Sequence, residues 1–377
     1  MQILVLNYEF PPLGGGGGVA SAKLAKGWVD LGHHVDCVTS WFPGLPEYEV
    51  VQGIHVHRVK VFGRKELATA SMVSMLTYPW PAFRKGLQLA KQRRYDWINT
   101  HFAVPTGPAG VWLAARLKIP NILSLHGGDI YDPSKRNSPH ARFYYRAAVS
   151  WVLAKAARVV AQSTDTRRNA LRYYGYDGPI SVIPLPYAPV DFQSVDRVAL
   201  KLEPAKKYLV SVGRLVKRKD FATLIRALAL LDNDVELLLI GEGPEREALE
   251  ILARQLQVVG RVHFLGFVAE EKKFQYLQNA DVYVLSSVHE GFGIVLQEAM
   301  QVGLPIVATN HGGQVDLVED GVNGCLVEVG DVEGMAERIA YLLGAFALRE
   351  KMSEKNYLKL SGFLTKKICI DYIDLLS

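Results

Sequence analysis

The stretch "ILVLNYEFPPLGGGGGVASAKLAKGWVDLG" (residues 3–32) combines a short apolar run, a glycine turn and an amphipathic helical pattern. The succession recurs in "VELLLIGEGPERE" (235–247) and in "DVYVLSSVHEGFGIVLQEAM" (281–300). Strands that alternate with helices predict parallel sheets packed between helical layers. Because continuous apolar strands are buried on both faces, each half of the chain predicts a doubly wound, Rossmann-like α/β domain.

Chain length also favours two domains, since 377 residues compare with roughly 150 residues per domain. Prolines concentrate in "PLPYAPVDF" (184–192), just before a fresh strand begins. We therefore predict an N-terminal domain over residues 1–188 and a C-terminal domain over residues 189–359. Ligands of open parallel sheets bind beyond the carboxyl ends of the strands, so we expect the two domains to face each other across a cleft.

Composition excludes several classes of protein. The three cysteines, Cys37, Cys325 and Cys369, lie far apart and indicate neither a disulfide framework nor a zinc site. The start "MQILVLNYEF" lacks the basic segment of a secretory signal, and the chain has no run of about 18 apolar residues. We expect a cytoplasmic protein.

Charge is distributed unevenly although the net charge is only +5. Residues 1–190 hold 22 basic and 11 acidic side chains, and residues 51–118 alone hold 11 and 2. Such a patch attracts phosphate, anionic lipid or nucleic acid, but it is also compatible with a merely solvated basic face.

The loops after the predicted strands contain the unusual residues. Glycines 14–18 precede a helix, where bare backbone amides favour an anion. The run is neither a dinucleotide fingerprint nor a P-loop, so a flexible turn is an equal alternative. "SLHGGD" (124–129) presents His126 and Asp129 at a strand end, where a histidine is either structural or a ligand contact.

Arg214 and Lys219 follow the first strand of the second half. An arginine grips a phosphate with two parallel hydrogen bonds and a lysine adds a compact charge, so the pair can neutralise a diphosphate. The alternative is a solvated loop, and we assign Lys217 and Arg218 to that. The turn containing Gly243 is ordinary by itself.

Glu290 and Glu298 bracket the turn Gly291–Gly293 that opens a helix. The amides of such a turn suit phosphate oxygens, whereas carboxylates repel phosphate and pair better with the hydroxyls of a diol. A sugar joined through a diphosphate to a nucleoside offers one diol at each end. In isolation, two acids at a helix start are more often a cap and a solvated face.

The order of motifs decides between these alternatives. "PP…GGV", "HGGD", "VGRLVKRKDF", "GEGP", "FLGFV", "EGFGIVLQEAM" and "GLPIVATNHGGQVDLVEDGVNGCLVEVGD" together resemble the family 4 retaining glycosyltransferases of GT-B fold. The resemblance covers nearly the whole chain and is densest over residues 206–340. Pro189, where the family often has glycine before Val190 and Asp191, and Asp220, where glycine is commoner, depart from the pattern without removing a charged contact.

The resemblance implies a donor bound mainly by the C-terminal domain. By it, Arg214 and Lys219 bind the diphosphate, Glu298 binds the ribose and Glu290 binds the transferred sugar. His126 contacts the sugar near the reacting carbon, so the implied catalytic set is His126, Arg214, Lys219 and Glu290. The implied donor-binding set is Gly17, Gly18, Asp129, Gly213, Gly243, Val268 beside the base, Gly291, Phe292, Gly293, Ile294 and Glu298.

The resemblance further implies retention at the anomeric carbon, with no cofactor and no metal ion. No dedicated nucleophile stands out, so the leaving phosphate itself takes the acceptor's proton. The segment "NYLKLSGFLTKKICIDYIDLLS" (356–377) is expected to form a helix, from about residue 360, that packs onto the N-terminal domain.

The acceptor is a saccharide or a lipid-linked molecule, in glycan, lipopolysaccharide, exopolysaccharide or glycolipid synthesis. The basic stretch around "SMVSMLTYPWP" (71–81) suggests peripheral contact with an anionic membrane at its inner face, and no nucleic acid partner. Two alternatives remain: a catalytically idle nucleotide-sugar-binding protein, and a dinucleotide-dependent oxidoreductase. The latter lacks the third glycine, and its only acid at the right distance is Asp36, inside a strand.

Overall fold

The computed structural model describes residues 1–67, 70–134 and 138–376, and the chain divides into two compact units. Unit 1 comprises Met1–Ala188 with Phe363–Ser377, and unit 2 comprises Pro189–Gly362. Each unit has its own sheet, built mainly from parallel strands with helices on both faces. This confirms the predicted class of two doubly wound α/β domains.

The sheet of unit 1 has eight strands in the order β3-β4-β2-β1-β5-β6-β7-β8. All neighbours are parallel except the antiparallel edge pair of β3 and β4. The strands are β1 Gln2–Leu6, β2 His34–Ser40, β3 Tyr48–Val51, β4 Ile54–Val59, β5 Trp97–His101, β6 Asn121–Leu125, β7 Arg158–Ala161 and β8 Ile180–Val182.

In the described part of unit 1 six helices connect these strands, and the apolar core lies on both faces of the sheet. They are α1 Gly16–Asp30, α2 Met72–Thr77, α3 Pro79–Ala90, α4 Gly107–Leu117, α5 Phe143–Lys155 and α6 Thr164–Tyr174. Along β1, Ile3 and Val5 pack into one apolar cluster with Trp28, and Leu4 and Leu6 into another. This two-sided burial is why the strand reads as an unbroken apolar run.

Unit 2 repeats the scheme with six parallel strands in the order β11-β10-β9-β12-β13-β14. Its strands are β9 Lys207–Val212, β10 Val235–Ile240, β11 Val262–Gly266, β12 Val282–Leu285, β13 Ile306–Thr309 and β14 Gly324–Val327. Its helices are α7 Phe221–Ala229, α8 Arg246–Gln255, α9 Glu270–Asn279, α10 Ile294–Gln301, α11 Val332–Gly344 and α12 Phe346–Ser361.

Both sheets reverse their strand order beside their first strand. β1 pairs with β2 on one side and β5 on the other, and β9 pairs likewise with β10 and β12. In open parallel sheets ligands bind at the carboxyl ends of the strands beside such a reversal. The loops singled out from the sequence follow these strands or their neighbours β6 and β11, so the topology brings them to one edge of the sheet within each unit.

The C-terminal segment differs from the single helix expected over residues 356–377. Helix α12 continues through Ser361, and a further helix, α13 Thr365–Asp374, begins after a break. In the break, the amide of Tyr187 donates to the carbonyl of Phe363 (2.7 Å) and the amide of Thr365 donates to the carbonyl of Tyr187 (3.0 Å). Because these backbone groups pair with Tyr187, they are not available to a continuous helix.

Helix α13 packs closely against α1 in unit 1. A Cβ atom on Gly27 would lie 2.5 Å from the Sγ atom of Cys369, so glycine is required for this approach. The indole of Trp28 donates to the carbonyl of Cys369 (3.3 Å), and its ring contacts those of Trp97 and Tyr372 edge to face.

Asp36 forms a buried polar cluster in the sheet of unit 1. His57 hydrogen-bonds its Oδ1 atom, and His34 and the Tyr95 hydroxyl bond its Oδ2 atom, each at 2.7 Å. Burial alone would raise the pKa of Asp36, but hydrogen bonds from His57, Tyr95 and His34 lower it to about 2. The acid considered as a ribose ligand of an oxidoreductase is therefore occupied by internal contacts.

We expect Asp36→Asn to reduce the free energy of unfolding by about 2 kcal/mol near neutral pH, because the folded state stabilises the ionised carboxylate. The folded-state pKa lies below the unfolded value of about 3.9, so this stabilisation is complete above that pH and is lost toward pH 2. Urea unfolding of both proteins from pH 7 to pH 2.5 measures the difference. Asp30→Asn, on the surface of α1, should change stability by less than about 0.5 kcal/mol. A difference between wild type and Asp36→Asn that does not shrink below pH 4 would contradict this assignment.

Candidate active site

The turn between β12 and α10 contains four of the predicted residues of unit 2: Glu290, Gly291, Phe292 and Gly293. Gly293 caps α10 with a φ of 108°, a conformation that favours glycine, and it supplies no side-chain cap to the first amides of the helix. Phe292 is buried, so this residue presents its backbone rather than its ring. The arrangement leaves Ile294 at a helix start suited to phosphate oxygens.

Glu290 lies buried in this turn and is bound by two cations. Its Oε1 atom is 2.7 Å from the Nζ atom of Lys219 and accepts a hydrogen bond from Ser287 (2.7 Å). Its Oε2 atom is 3.0 Å from an Nη atom of Arg218. Burial would raise the pKa of Glu290, but attraction to Lys219 and Arg218 lowers it to about 2. Glu290 is therefore ionised at neutral pH and can only accept hydrogen bonds.

Arg218 corrects the assignment of "KRK" to a solvated loop. Besides its ion pair with Glu290, it donates to the carbonyl of His289 (2.7 Å). Lys217, in the same 3-10 turn, is exposed as expected. One residue of the run is thus on the surface, whereas the next two turn inward to the same carboxylate.

The glycines after β9 and β10 allow close packing of neighbouring loops. A Cβ atom on Gly213 would lie 3.0 Å from the Cε atom of Lys219, and one on Gly243 would lie 2.2 Å from the carbonyl oxygen of Leu215. Arg214, which directly follows Gly213 in the sequence, is exposed. The two glycines thus make room for the lysine and the loop, while Arg214 stays accessible.

Glu298 has one oxygen satisfied and one unsatisfied. Its Oε1 atom is 2.7 Å from the Nζ atom of Lys273 on α9. Its Oε2 atom is buried and has no hydrogen-bond partner within the described part of the chain. Val268 lies half-buried, two residues before α9 begins. A buried carboxylate oxygen without a partner is costly, so this atom is a candidate for a ligand contact.

The loop after β13 packs against the turn between β12 and α10. The amide of Gly313 donates to the carbonyl of Glu290 (2.7 Å), and a Cβ atom there would lie 2.2 Å from the carbonyl oxygen of Gly291. Any side chain at residue 313 would push the turn away.

In unit 1, the glycine run and His126 are brought together at the start of α1. A Cβ atom on Gly17 would lie 2.5 Å from the ring of Phe102 and 3.5 Å from the Nδ1 atom of His126. One on Gly18 would lie 3.1 Å from the carbonyl oxygen of Leu13. Both glycines thus lie in close internal contacts.

His126 is paired with a second histidine that the sequence analysis did not single out. Its Nε2 atom lies 2.8 Å from the Nδ1 atom of His101, the last residue of β5. Burial lowers the pKa of His126 to about 4, with a smaller opposing effect from Gln162, and burial lowers the pKa of His101 well below its usual value. Both rings are therefore neutral near pH 7 and act through hydrogen bonds.

Asp129 holds the loop that carries His126. Its Oδ1 atom accepts from the amide of His126 (2.9 Å) and its Oδ2 atom from the amide of Ala103 (2.6 Å). Burial raises the pKa of Asp129 to about 6, although these amides oppose the shift. Both oxygens contact backbone, so the structure gives Asp129 a scaffolding contact, and its role toward the donor stays a prediction.

Comparison with known proteins identifies the family. Residues 192–359 match the family described as "Glycosyl transferases group 1", and residues 14–188 match "Glycosyltransferase Family 4". An uncharacterised glycosyltransferase of Methanocaldococcus jannaschii is 30% identical over 369 residues, 93% of this chain and 91% of that protein. The chain belongs to the group 1, family 4 glycosyltransferases.

Solved structures of this glycosyltransferase's relatives show the GT-B fold over the whole chain. Sucrose-phosphate synthase from Thermosynechococcus elongatus has a TM-score of 0.84 at 22% identity, covering 100% of this chain and 98% of that one. The Anabaena protein HepE, in complex with UDP and glucose, has a TM-score of 0.78 at 23% identity, covering 100% and 99%.

The predicted residues of the glycosyltransferase fall on two sets of loops and on the helices that begin after them. Those of unit 2 follow the strands β9 to β12: Gly213, Arg214, Lys219, Gly243, Val268, Glu290, Gly291, Phe292, Gly293, Ile294 and Glu298. Those of unit 1 follow β1 and β6: Gly17, Gly18, His126 and Asp129. Within unit 2, Lys219 and Glu290 are in contact although 71 residues separate them.

The sequence analysis missed several neighbours of these residues, among them His101, Arg218, Lys273 and Gly313. The signals available were a strand-end histidine in "NTH", the glycine pair in "NHGG", and basic residues that also fit a solvated surface. Each acquires its role through a partner distant in sequence, which residue type alone does not specify.

Proposed function

We propose that this glycosyltransferase moves a sugar from a nucleoside-diphosphate donor to a hydroxyl acceptor, with retention at the anomeric carbon. The observation that carries the proposal is the contact of Lys219 with the buried, ionised Glu290, beside the exposed Arg214. Cations from the loop after β9 and a carboxylate from the loop after β12 match a substrate that joins a diphosphate to polyols.

The two cations of Glu290 have separate roles in this proposal. A diphosphate carries more negative charge than one carboxylate. It therefore competes with Glu290 for Lys219, and it also binds Arg214. Arg218 remains on Glu290 and keeps its charge compensated while Lys219 turns to the phosphate. The freed Oε1 atom of Glu290 then accepts hydrogen bonds from the hydroxyls of the transferred sugar.

Glu298 is assigned to the ribose because its Oε2 atom is buried without a partner, while Lys273 holds the other oxygen. Val268 lies beside the base, and the backbone of Gly291–Ile294 faces the phosphate and sugar. HepE has the same fold and was solved in complex with UDP and glucose. This complex supports a nucleotide-sugar donor for the present chain.

In the proposed reaction the acceptor oxygen bonds to the anomeric carbon on the face that the diphosphate leaves. The bond from that carbon to the diphosphate breaks, the diphosphate keeps the electron pair, and it takes the acceptor's proton. Arg214, Lys219 and the amides at the start of α10 stabilise the charge that develops. His126, neutral at pH 7, hydrogen-bonds the sugar near the reacting carbon, and no metal ion is required.

The acceptor side of the proposal rests on the surface of unit 1. Helices α2 and α3 expose Leu76 (69%) and Trp80 (60%), and a groove of about 690 Å³ beside them is lined by Lys60, Arg84, Lys85 and Lys91. Exposed apolar side chains next to basic ones fit an anionic bilayer better than nucleic acid, because a bilayer accommodates both. No described helix has the length and apolar character needed to cross a bilayer. We therefore propose peripheral contact at the inner membrane face and a saccharide or lipid-linked acceptor.

Arg214→Ala should lower kcat/KM about 100- to 1000-fold, because one preorganised donor to the leaving diphosphate is lost. Stability should be unchanged, since Arg214 is exposed. Release of nucleoside diphosphate from a panel of UDP-, GDP- and ADP-sugars measures turnover and identifies the base. Lys217→Ala is the matched control from the same exposed loop. Equal activity of both variants and wild type would refute the diphosphate assignment.

Lys219→Ala tests the diphosphate assignment less directly than Arg214→Ala, because it also affects stability. Lys219 is buried against Glu290, so its removal leaves that carboxylate with Arg218 alone and should destabilise the fold by about 3 kcal/mol. Urea unfolding of this variant measures that loss of stability, which has to be separated from any loss of turnover.

Products should retain the anomeric configuration of the donor, and excess chelator should leave turnover unchanged, because cationic side chains supply the charge on the diphosphate. Proton NMR of the first product, with and without chelator, tests both statements. An inverted product excludes the proposed route, and a chelator-sensitive rate restored by divalent metal excludes the metal-free one.

Vesicles of phosphatidylcholine containing phosphatidylserine should bind the protein at low ionic strength and release it as salt rises. Reversing two charges of the groove, Arg84→Glu with Lys85→Glu, should weaken binding more than about tenfold. Lys351→Glu with Lys355→Glu, exposed on α12, gives the charge-matched control. Equal weakening by both pairs would show an effect of net charge rather than of this surface.

A further inference from the structure

Unit 1 contains an apolar cavity of about 490 Å³ that the proposed chemistry does not use. Helix α2 contributes Met75 and Leu76 to its wall, and α5 contributes Tyr145 and Ala148. Prolines from the ends of α3 and α4 complete much of the remainder. Its volume lies in the range of pockets that hold small molecules.

The lining offers few hydrogen-bonding groups to an occupant. Asp129 is its only carboxylate among the described residues, and both of its oxygens already accept from the amides of Ala103 and His126. Tyr144 and Tyr145 add two hydroxyls, and the other lining residues have apolar side chains or none. A free saccharide would therefore leave most of its hydroxyls without partners in such a cavity. An alkyl or isoprenyl chain requires none, and the flexible methionines adapt to its shape.

The cavity is continuous with the loop that carries His126. Gly128 and Asp129 line one end of it, and Asp129 is hydrogen-bonded to the amide of His126. The other rim is exposed: Leu76 (69%) and Tyr144 (47%) stand at the surface. A chain in the cavity therefore has one end beside the catalytic loop and the other toward solvent.

We propose that this cavity binds the apolar chain of the acceptor, so that the acceptor is an amphipathic molecule with a hydroxyl-bearing head and an alkyl or isoprenyl tail. The inference rests on the proposed function, because it takes the loop of His126 as the place of reaction. It adds the substrate class: the acceptor is lipid-linked, and a free saccharide is bound much less tightly.

Alkyl β-D-glucosides with butyl, hexyl and octyl chains, kept below their micelle concentrations, test the proposal by calorimetry. The head group is constant, so differences in affinity report the chain. In the wild type, affinity should rise about fourfold for each added methylene, since burying one methylene contributes about 0.8 kcal/mol.

Ala148→Trp fills the cavity and should abolish the dependence on chain length. Ala147→Trp places the same ring on the exposed face of α5, one residue away, and should preserve it. Circular dichroism and donor hydrolysis without acceptor report whether Ala148→Trp is folded. If it is not, Met75→Phe is the second filling variant.

A wild type without chain-length dependence overturns the proposal, and so does a dependence that survives in the filled variant. A dimer in sedimentation experiments that Ala148→Trp disrupts assigns the cavity to a second copy of the chain instead. Calorimetry is done without donor. Failed sugar transfer would therefore contradict the proposed function without affecting the measured dependence of affinity on chain length.

Discussion

The buried carboxylate of Glu290 is the interaction on which the candidate site of unit 2 depends. Removing an ionised carboxylate from water is so unfavourable that it persists only with compensating charge and hydrogen bonds. Lys219, Arg218 and Ser287 provide both. The loops after β9 and β12 are thereby joined at their side chains, and also through the backbone, where the amide of Val288 donates to the carbonyl of Arg218 (2.8 Å). The orientation of the turn before α10 follows from this junction.

Unit 1 organises the loop that carries His126 by packing and neutral hydrogen bonds. Asp129 clamps the backbone of His126 and Ala103, and a neutral histidine pair replaces the ion pairs of unit 2. The absence of a side chain on Gly17 lets α1 start against Phe102 and His126. The cations of unit 2 suit a diphosphate, whereas the neutral histidine pair of unit 1 suits uncharged hydroxyls.

The surface of unit 1 adds a consistent description of the acceptor. Basic side chains line the groove beside α3, apolar side chains project from α2, and an apolar cavity lies between α2 and α5. Charge, exposed hydrophobicity and an apolar cavity are three independent properties. All three are those expected of an enzyme that takes its acceptor from a lipid surface.

Local pattern was sufficient for the fold and for the choice of loops that contain the candidate residues. The apolar runs separated by glycine turns predicted two doubly wound domains, because strands buried on both faces cannot contain polar residues at regular intervals. The carboxyl-end rule then directed attention to the loops after β1, β6, β9 and β12. Arg214, Lys219, Glu290 and Glu298 were found in this way from spacing and residue type.

Tertiary structure alone decided which of these side chains meet. Arg218 and Lys217 are adjacent and equally basic, yet only Arg218 reaches Glu290, because the 3-10 turn after β9 points them in different directions. Lys273, His101 and Gly313 acquire roles from partners on other strands or helices. The break between α12 and α13 likewise arises from hydrogen bonds to the distant Tyr187. Sequence periodicity reports which face of an element is buried, whereas contacts between elements depend on how the sheets bring distant loops together.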